Sequence, residues 1–174
     1  LLNLLQQLGY QCIVAHCNFH LRGADANADA EFVARLAHDY RLPFRSIDFD
    51  TNAVAAERKI SIEMAARDLR YAWFEQLRQT EQCSAIAVAH HANDNIETVL
   101  MNLTRGTGIN GLCGIQARNG HIVRPLLCCT RAEITDYAHT HQLSYRTDAT
   151  NADTIYRRNF VRHNIVPLFE QINP

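Results

Sequence analysis

SAIAVAHHANDNIETVLMNLTRGTG, residues 84–108, decides the fold class. Its first seven residues carry no charge and are apolar enough for a strand buried on both faces, as the strands of parallel sheets are. Two histidines end that run. Ile96, Val99, Leu100 and Leu103 then recur at i, i+3, i+4 and i+7, which predicts a helix over 94–104. Arg105 and a glycine-rich turn follow.

The same alternation continues upstream. Residues 1–8 read as a helix that Gly9 caps. QCIVAHC, 11–17, reads as a strand and NFHLRG, 18–23, as a loop. A helix over 24–41 stops before Pro43. FRSIDF, 44–49, is a second strand, and a short connecting segment leads to a long helix over 61–79. The order α-β-α-β-α-β-α predicts an α/β fold with a doubly wound, mostly parallel, Rossmann-like sheet. Ligands of such sheets sit beyond the carboxyl ends of the strands. The loops 16–22 and 90–95 both follow strands and are expected to open there.

Past residue 105 the pattern changes. GTGINGLCGI is glycine-rich, HIVRPLL is short and extended, and TRAEITDYAHTH is a helix over 130–141. Thr130 and Glu133 have capping-box spacing. The expected division is an α/β domain over 1–127 and a small helical extension over 128–174.

The bulk composition excludes several classes. At 174 residues the chain can bury a real core. No apolar run has the length of a membrane span, and no signal peptide is visible. The six cysteines contain no CxxC pair and no zinc spacing, so a reducing, cytoplasmic setting is expected. The net charge of −1 excludes a globally basic nucleic-acid binder. Of the 17 basic side chains only Lys59 is a lysine, and arginine suits forked contacts to phosphate. YRRNFVRH, 156–163, holds three arginines and no acid, so an RNA contact is expected to be local. Arg158 and Arg162 are four residues apart and would share a helix face.

Asp94 and Glu97 share a face of the 94–104 helix, away from its apolar stripe. Acids at a helix start also complement its dipole. That bland reading leaves the preceding His90 and His91 unexplained. One functional reading is a nucleotide site in which acids hold Mg²⁺ and a histidine meets phosphate. The other is a metallohydrolase, with His16 and His20 of HCNFH supplying further ligands. Arg105, Gly106 and Gly108 could bring backbone N–H groups and a guanidinium to a phosphate. Arg67 and Arg70 lie on one face of the 61–79 helix. Tyr71 and Trp73 read as packing groups.

The motifs HCNFHLRG, SIEMAARDLRY, HHANDNIET, RGTGINGL, IVRPLL, TRAEI, TDATN and YRRNFVRHNIVP, taken in this order, closely resemble the tRNA(Ile)-lysidine synthases of the N-type PP-loop ATP pyrophosphatase group. The resemblance runs from about residue 13 to 174. It implies an adenine-nucleotide α-hydrolase-like domain. The activity it implies is ATP- and Mg²⁺-dependent adenylation of the 2-carbonyl of the wobble cytidine in the CAU anticodon of tRNA(Ile). L-Lysine then attacks C2, and AMP leaves. The implied catalytic residues are Asp94, His91 and Arg105. Asn18, His20, Arg67, Arg70, Gly106 and Gly108 are the implied nucleotide contacts. Arg22, Asp148, Asn151, Arg158, Asn159 and Arg162 are the implied lysine or tRNA contacts. Asp94 and Glu97 are the implied Mg²⁺ ligands. The oligomeric state is not read from the sequence, a homodimer being one candidate.

Two departures from the pattern stand out. Position 93 is Asn where many such sequences carry a second Asp. The Ser-Gly-Gly-x-Asp-Ser phosphate loop, which cradles pyrophosphate with backbone N–H groups, is nowhere in the chain. The expectation is a catalytic domain without that loop, inactive alone. The alternative is a degenerate nucleotide- or tRNA-binding module.

Overall fold

The computed structural model describes residues 1–148 and 157–172. Two compact units are present, Leu1–Ile86 and Ala87–Pro174. This division does not coincide with the boundary expected at 127–128.

In the first unit, α1 (Leu2–Gln7) leads to β1 (Val14–Asn18), α2 (Ala24–Asp39), β2 (Phe44–Asp48), α3 (Thr51–Arg58) and α4 (Ile62–Thr80). β1 and β2 are parallel, paired from Val14 with Phe44 to Asn18 with Asp48. Parallel pairing requires a crossover connection, and α2 supplies it, as the alternating pattern predicts. Tyr40 fastens α1 to the end of α2. Asn3 Nδ2 donates to its hydroxyl at 3.0 Å and Gln6 Nε2 to its carbonyl at 3.2 Å. Gly9 has φ of +80°, as a helix-terminating glycine does. The core is lined with small residues: Ala37 and Ala65 are fully buried, and Ala55 and Ala66 nearly so. Alanines let helix and sheet backbones approach closely.

α3 replaces the expected connecting segment. Asp50 starts it, its carboxylate accepting from the Ala53 amide at 3.0 Å. Lys59 ends it in the left-handed conformation, φ +53°. Its sequence, TNAVAAER, is mostly small and polar, so no long apolar stripe announces it.

The second unit contains α5 (Ala92–Thr104), α6 (Ile109–Leu112), the antiparallel hairpin of β4 (Arg118–Asn119) and β5 (Ile122–Val123), and α7 (Arg131–Thr140). α8 (Arg157–Phe160), a π-helical turn (Val161–Ile165) and α9 (Val166–Ile172) follow. The expected strand 84–90 contracts to β3 (Ile86–Ala87), at the junction of the units, in the order β3-β5-β4. Strand length is set by available partners, and β5 offers two residues. Val88 still donates to the Val123 carbonyl at 3.0 Å. The extended HIVRPLL likewise contracts to Ile122–Val123 before a turn. β1 and β2 thus form a two-stranded parallel sheet, and β3-β5-β4 is a separate three-stranded sheet whose β4-β5 pair is antiparallel.

Thr130 and Glu133 form the expected capping box: Thr130 Oγ accepts from the Glu133 amide at 3.2 Å, and the Glu133 carboxylate accepts from the Thr130 amide at 2.7 Å.

Candidate functional site

The first unit presents the loop after β1. Asn18 is 6% exposed and shapes this loop from within. Its Nδ2 donates to Asn27 Oδ1 at 3.1 Å, and its Oδ1 accepts from the His20 amide at 3.1 Å. His20 is held at φ +52°, an uncommon conformation for a residue with a Cβ, and its Nε2 lies 2.8 Å from Asp48 Oδ1. Arg22 is engaged with Asp29. A cavity of about 420 Å³ opens beside this loop, between Phe19 and His20 on one side and Asp48 to Asn52 on the other. Phe19 and Phe49 stack there with centroids 5.7 Å apart.

Arg67 and Arg70 emerge from α4. The Arg67 guanidinium lies over Tyr71 at 5.0 Å and that of Arg70 over Phe19 at 5.1 Å. Neither has a carboxylate partner among the described residues, so both cations stay available to an anion. Burial lowers the pKa of His16, keeping its ring neutral at neutral pH. Burial pushes the Cys17 thiol up to about 11.

In the second unit His91 stands at the N-terminus of α5. Its amide donates to Asp94 Oδ2 at 2.9 Å, one half of a capping box. The His91 ring has Nε2 3.5 Å from the same carboxylate, and its buried Nδ1 makes no hydrogen bond among the described residues. One turn on, Glu97 is buried with its side chain 1% exposed. Arg158 Nε donates to Glu97 Oε2 at 2.6 Å, and Arg162 Nε donates to Oε1 at 2.6 Å. Arg158 also reaches Asp94 Oδ1 at 3.0 Å. Two carboxylates and two guanidiniums thus form one neutral cluster. The pKa of Arg162 is raised by its hydrogen bond to Glu97, against the opposing effect of burial.

The expected Mg²⁺ ligands Asp94 and Glu97 are paired here with Arg158 and Arg162. Both Glu97 oxygens and both Asp94 oxygens are already held by N–H donors, and a metal would have to displace guanidinium groups. No three His, Cys, Asp or Glu side chains come together as a metal site among the described residues.

Asn93 explains its own departure from the pattern. Its Oδ1 accepts from the Arg131 amide at 2.9 Å, a role an aspartate oxygen fills equally well. Together with the Ala92 amide on the Cys129 carbonyl at 2.8 Å, it ties the start of α5 to the start of α7.

Arg105 caps α5, and Gly106 follows with φ of +72°. The glycine loop folds back on α5 through two asparagines. Asn102 Nδ2 donates to the Gly111 carbonyl at 2.9 Å, and Asn95 Oδ1 accepts from the Ile115 amide at 2.6 Å. A Cβ on Gly114 would stand 2.1 Å from Asn95 Oδ1.

Asn159 is buried and Asp148 half-buried, and both are engaged by neighbours. Asn151 lies outside the described residues. Arg124 was not anticipated. It is 8% exposed and donates to the Gln116 carbonyl at 2.6 Å. Its signal was an arginine inside the apolar run IVRPLL.

A family model described as a PP-loop domain matches residues 1–169. The chain belongs to the PP-loop domain family. This PP-loop domain is 57% identical to the tRNA(Ile)-lysidine synthase of Porphyromonas gingivalis over its whole length, which is 38% of that protein. It is 55% identical to the tRNA(Ile)-lysidine synthase of Parabacteroides distasonis and 53% identical to that of Bacteroides thetaiotaomicron, again over the whole chain and 40% and 41% of theirs. The chain thus spans about two fifths of the length of these curated relatives.

The solved U34-tRNA thiolase NcsA from Methanococcus maripaludis, with its [4Fe-4S] cluster, superposes with a TM-score of 0.69 over 93% of this chain and 57% of its own. At 15% identity that likeness establishes the α/β fold and nothing further. No described helix is long and apolar enough to cross a membrane.

Proposed function

We propose that this PP-loop domain belongs to a tRNA(Ile)-lysidine synthase. That enzyme ligates L-lysine to C2 of the wobble cytidine of the CAU anticodon through an adenylated tRNA, with ATP as the adenylating substrate. The observation that carries this reading is the 53–57% identity along the whole chain to curated tRNA(Ile)-lysidine synthases.

The residues suit the chemistry. Adenylation converts the carbonyl oxygen into a good leaving group, and charge builds on the transferred phosphate. Arg67 and Arg70, free of carboxylate partners, suit that charge. Arg105, Gly106 and Gly108 add a cation and close backbone approach at the end of α5. His20 and Asn18 shape the loop beside the nucleotide. The buried Nδ1 of His91 has a hydrogen bond left to make to a substrate.

The lysine amine must be neutral when it attacks, so a carboxylate within reach can take its proton. Asp94 is the candidate, positioned by Arg158. Arg158 and Arg162, locked by Glu97, with Asp148, Asn151 and Asn159 nearby in sequence, form the proposed lysine and tRNA side, and Arg22 is a further RNA contact. Mg²⁺ is proposed to arrive on the ATP phosphates and not in a cage of Asp94 and Glu97.

The test supplies the natural full-length protein with tRNA(Ile) bearing CAU, ATP, Mg²⁺ and labelled lysine. Label in the RNA, with pyrophosphate and AMP released, supports the reading. Intact tRNA with no pyrophosphate release refutes it.

A further inference from the structure

Cys128 and Cys129 stand side by side in the turn between β5 and α7. Neighbouring side chains of an extended chain point to opposite faces. Here the backbone turns, and the two sulfurs lie 3.8 Å apart in a shared hydrogen bond. The Leu127 amide on the Arg124 carbonyl at 3.2 Å and the Cys129 amide on the Leu126 carbonyl at 3.0 Å fix that turn. Cys128 is exposed, Cys129 is half-buried, and both thiols are free. Among the described residues no other two thiols share a hydrogen bond. The roles given above use neither of them.

The spacing suits one bridging atom better than a bond between the sulfurs. A disulfide needs an S–S length of about 2.05 Å and Cα atoms usually about 4.4–6.8 Å apart. Adjacent Cα atoms are held at about 3.8 Å by the trans peptide. Two sulfurs bound to one soft centre, each at about 2.3 Å as in zinc thiolates, stand about 3.3–3.8 Å apart. A third protein ligand is missing. Glu133, the carboxylate whose charge Cys129 feels, is taken by the Thr130 amide at 2.7 Å and hydroxyl at 2.8 Å. Structural zinc takes four ligands, and arsenite takes three thiols. A trivalent arsenic that already carries one organic group needs only two.

We infer that Cys128 and Cys129 form a vicinal dithiol site for a thiophilic acceptor that needs two sulfurs, the class of trivalent organoarsenicals. Capture is a condensation. Each thiol gives up its proton, two As–S bonds form, the arsenic-bound oxygen leaves as water, and nothing is oxidised or reduced. Once the first bond has formed, the second is intramolecular and favoured by a high effective concentration. The pair therefore outcompetes a lone thiol such as Cys113.

Capture also reaches the start of α5. The Cys129 carbonyl accepts from the Ala92 amide at 2.8 Å, directly after His91. Drawing Cys129 around a bridging atom disturbs that bond, and ligation slows. This consequence rests on the ligase reading, whereas the binding does not.

The test treats the natural full-length protein, Cys128→Ser and Cys129→Ser with phenylarsine oxide, and in parallel with Zn²⁺, and reads intact mass. The wild type is expected to gain one phenylarsenic group with loss of two thiol hydrogens. That adduct is expected to survive excess monothiol, to come off with a dithiol, and to be lost in both variants. No retained adduct in the wild type, or the same adduct in both variants, overturns the inference. Zn²⁺ retained one per chain through the same two cysteines overturns it as well, since the site would then have further ligands. Ligation by the loaded wild type is expected to fall at least fivefold and to recover with the dithiol, while treated Cys128→Ser keeps its rate. An adduct that leaves ligation unchanged overturns the link to α5. If the untreated wild type does not ligate, the ligase reading falls, and the mass readout still decides the dithiol site.

Discussion

Glu97 and Arg162 face each other at 2.6 Å, Nε on Oε1, with the Glu97 side chain 1% exposed. The same carboxylate takes Arg158 Nε at 2.6 Å on its other oxygen. Glu97 is therefore a counter-ion that sets the direction of two guanidiniums.

Removing one member of a buried ion cluster leaves the others uncompensated, at a cost of about 3–5 kcal/mol. Glu97→Ala is accordingly expected to lower the unfolding free energy by that order, and Glu97→Gln by less. Denaturant unfolding of the natural full-length protein measures it. A midpoint unchanged in Glu97→Ala would show that the two arginines are held by something else.

Gly114 sits at φ +62°, with Asn95 Oδ1 where a Cβ would go. Gly114→Ala meets both strain and a clash, and is expected to cost about 1–3 kcal/mol. Gly106, also at positive φ but with open space around it, is expected to tolerate alanine at a smaller cost. Comparing the two melting temperatures checks the ranking. Equal losses would contradict the loop's attachment to α5 through Asn95.

The capping box of α7 has a pH signature. Hydrogen bonds from Thr130 hold the Glu133 carboxyl below its ordinary value of 4.5. The folded chain then binds fewer protons than the unfolded one just below pH 4.5, so stability falls as the pH drops through the folded value. Above that range the contribution is fully present. Thr130→Ala is expected to cost about 1 kcal/mol at neutral pH. Glu133→Gln is expected to flatten the acid limb of the stability profile, which a melting series from acid to neutral pH reads directly.

Cysteine labelling separates buried from open thiols. All six cysteines are free. Burial pushes Cys17 up to about 11, whereas Cys113 is exposed. Only the thiolate reacts, and each pKa unit lowers its fraction about tenfold. Cys17 is expected to alkylate at least tenfold more slowly than Cys113 near pH 8, as mass mapping after timed iodoacetamide would show. Equal rates would contradict the packing of β1.

Some of this architecture was legible because it is local. The apolar spacing of Ile96, Val99, Leu100 and Leu103 announces α5, and Thr130 with Glu133 announces the start of α7. The α2 crossover follows from alternation. α3 was hidden because its alanines carry no stripe, although Asp50 three residues before Ala53 is a cap signal. Strand 84–90 was overestimated because strand length depends on what pairs with it.

The role of Glu97 was not legible from spacing. Its partners lie 61 and 65 residues away in sequence. Carboxylates three residues apart on a helix suggest a metal just as readily as a pair of distant arginines. The constraint on Asn93 was hidden for the same reason, since it is met by a backbone amide 38 residues on.

The nucleotide side makes a separate prediction. Arg67→Ala and Arg70→Ala each remove a charge-assisted contact of about 1.5–3 kcal/mol if they hold phosphate. Each is expected to weaken ATP use roughly tenfold or more, since 1.4 kcal/mol is a factor of ten. ATP titrations of the pyrophosphate-release step measure this. Unchanged titrations would assign both arginines to surface packing over Tyr71 and Phe19.

The most direct test of the central claim is mass spectrometry of the wobble nucleoside. tRNA(Ile) bearing CAU is incubated with the natural full-length protein, ATP, Mg²⁺ and isotopically labelled lysine, then digested to nucleosides. The account predicts a cytidine that has gained one lysine with loss of water, carrying the isotope, and found only when ATP is present. An unmodified wobble cytidine with all three substrates supplied would contradict it.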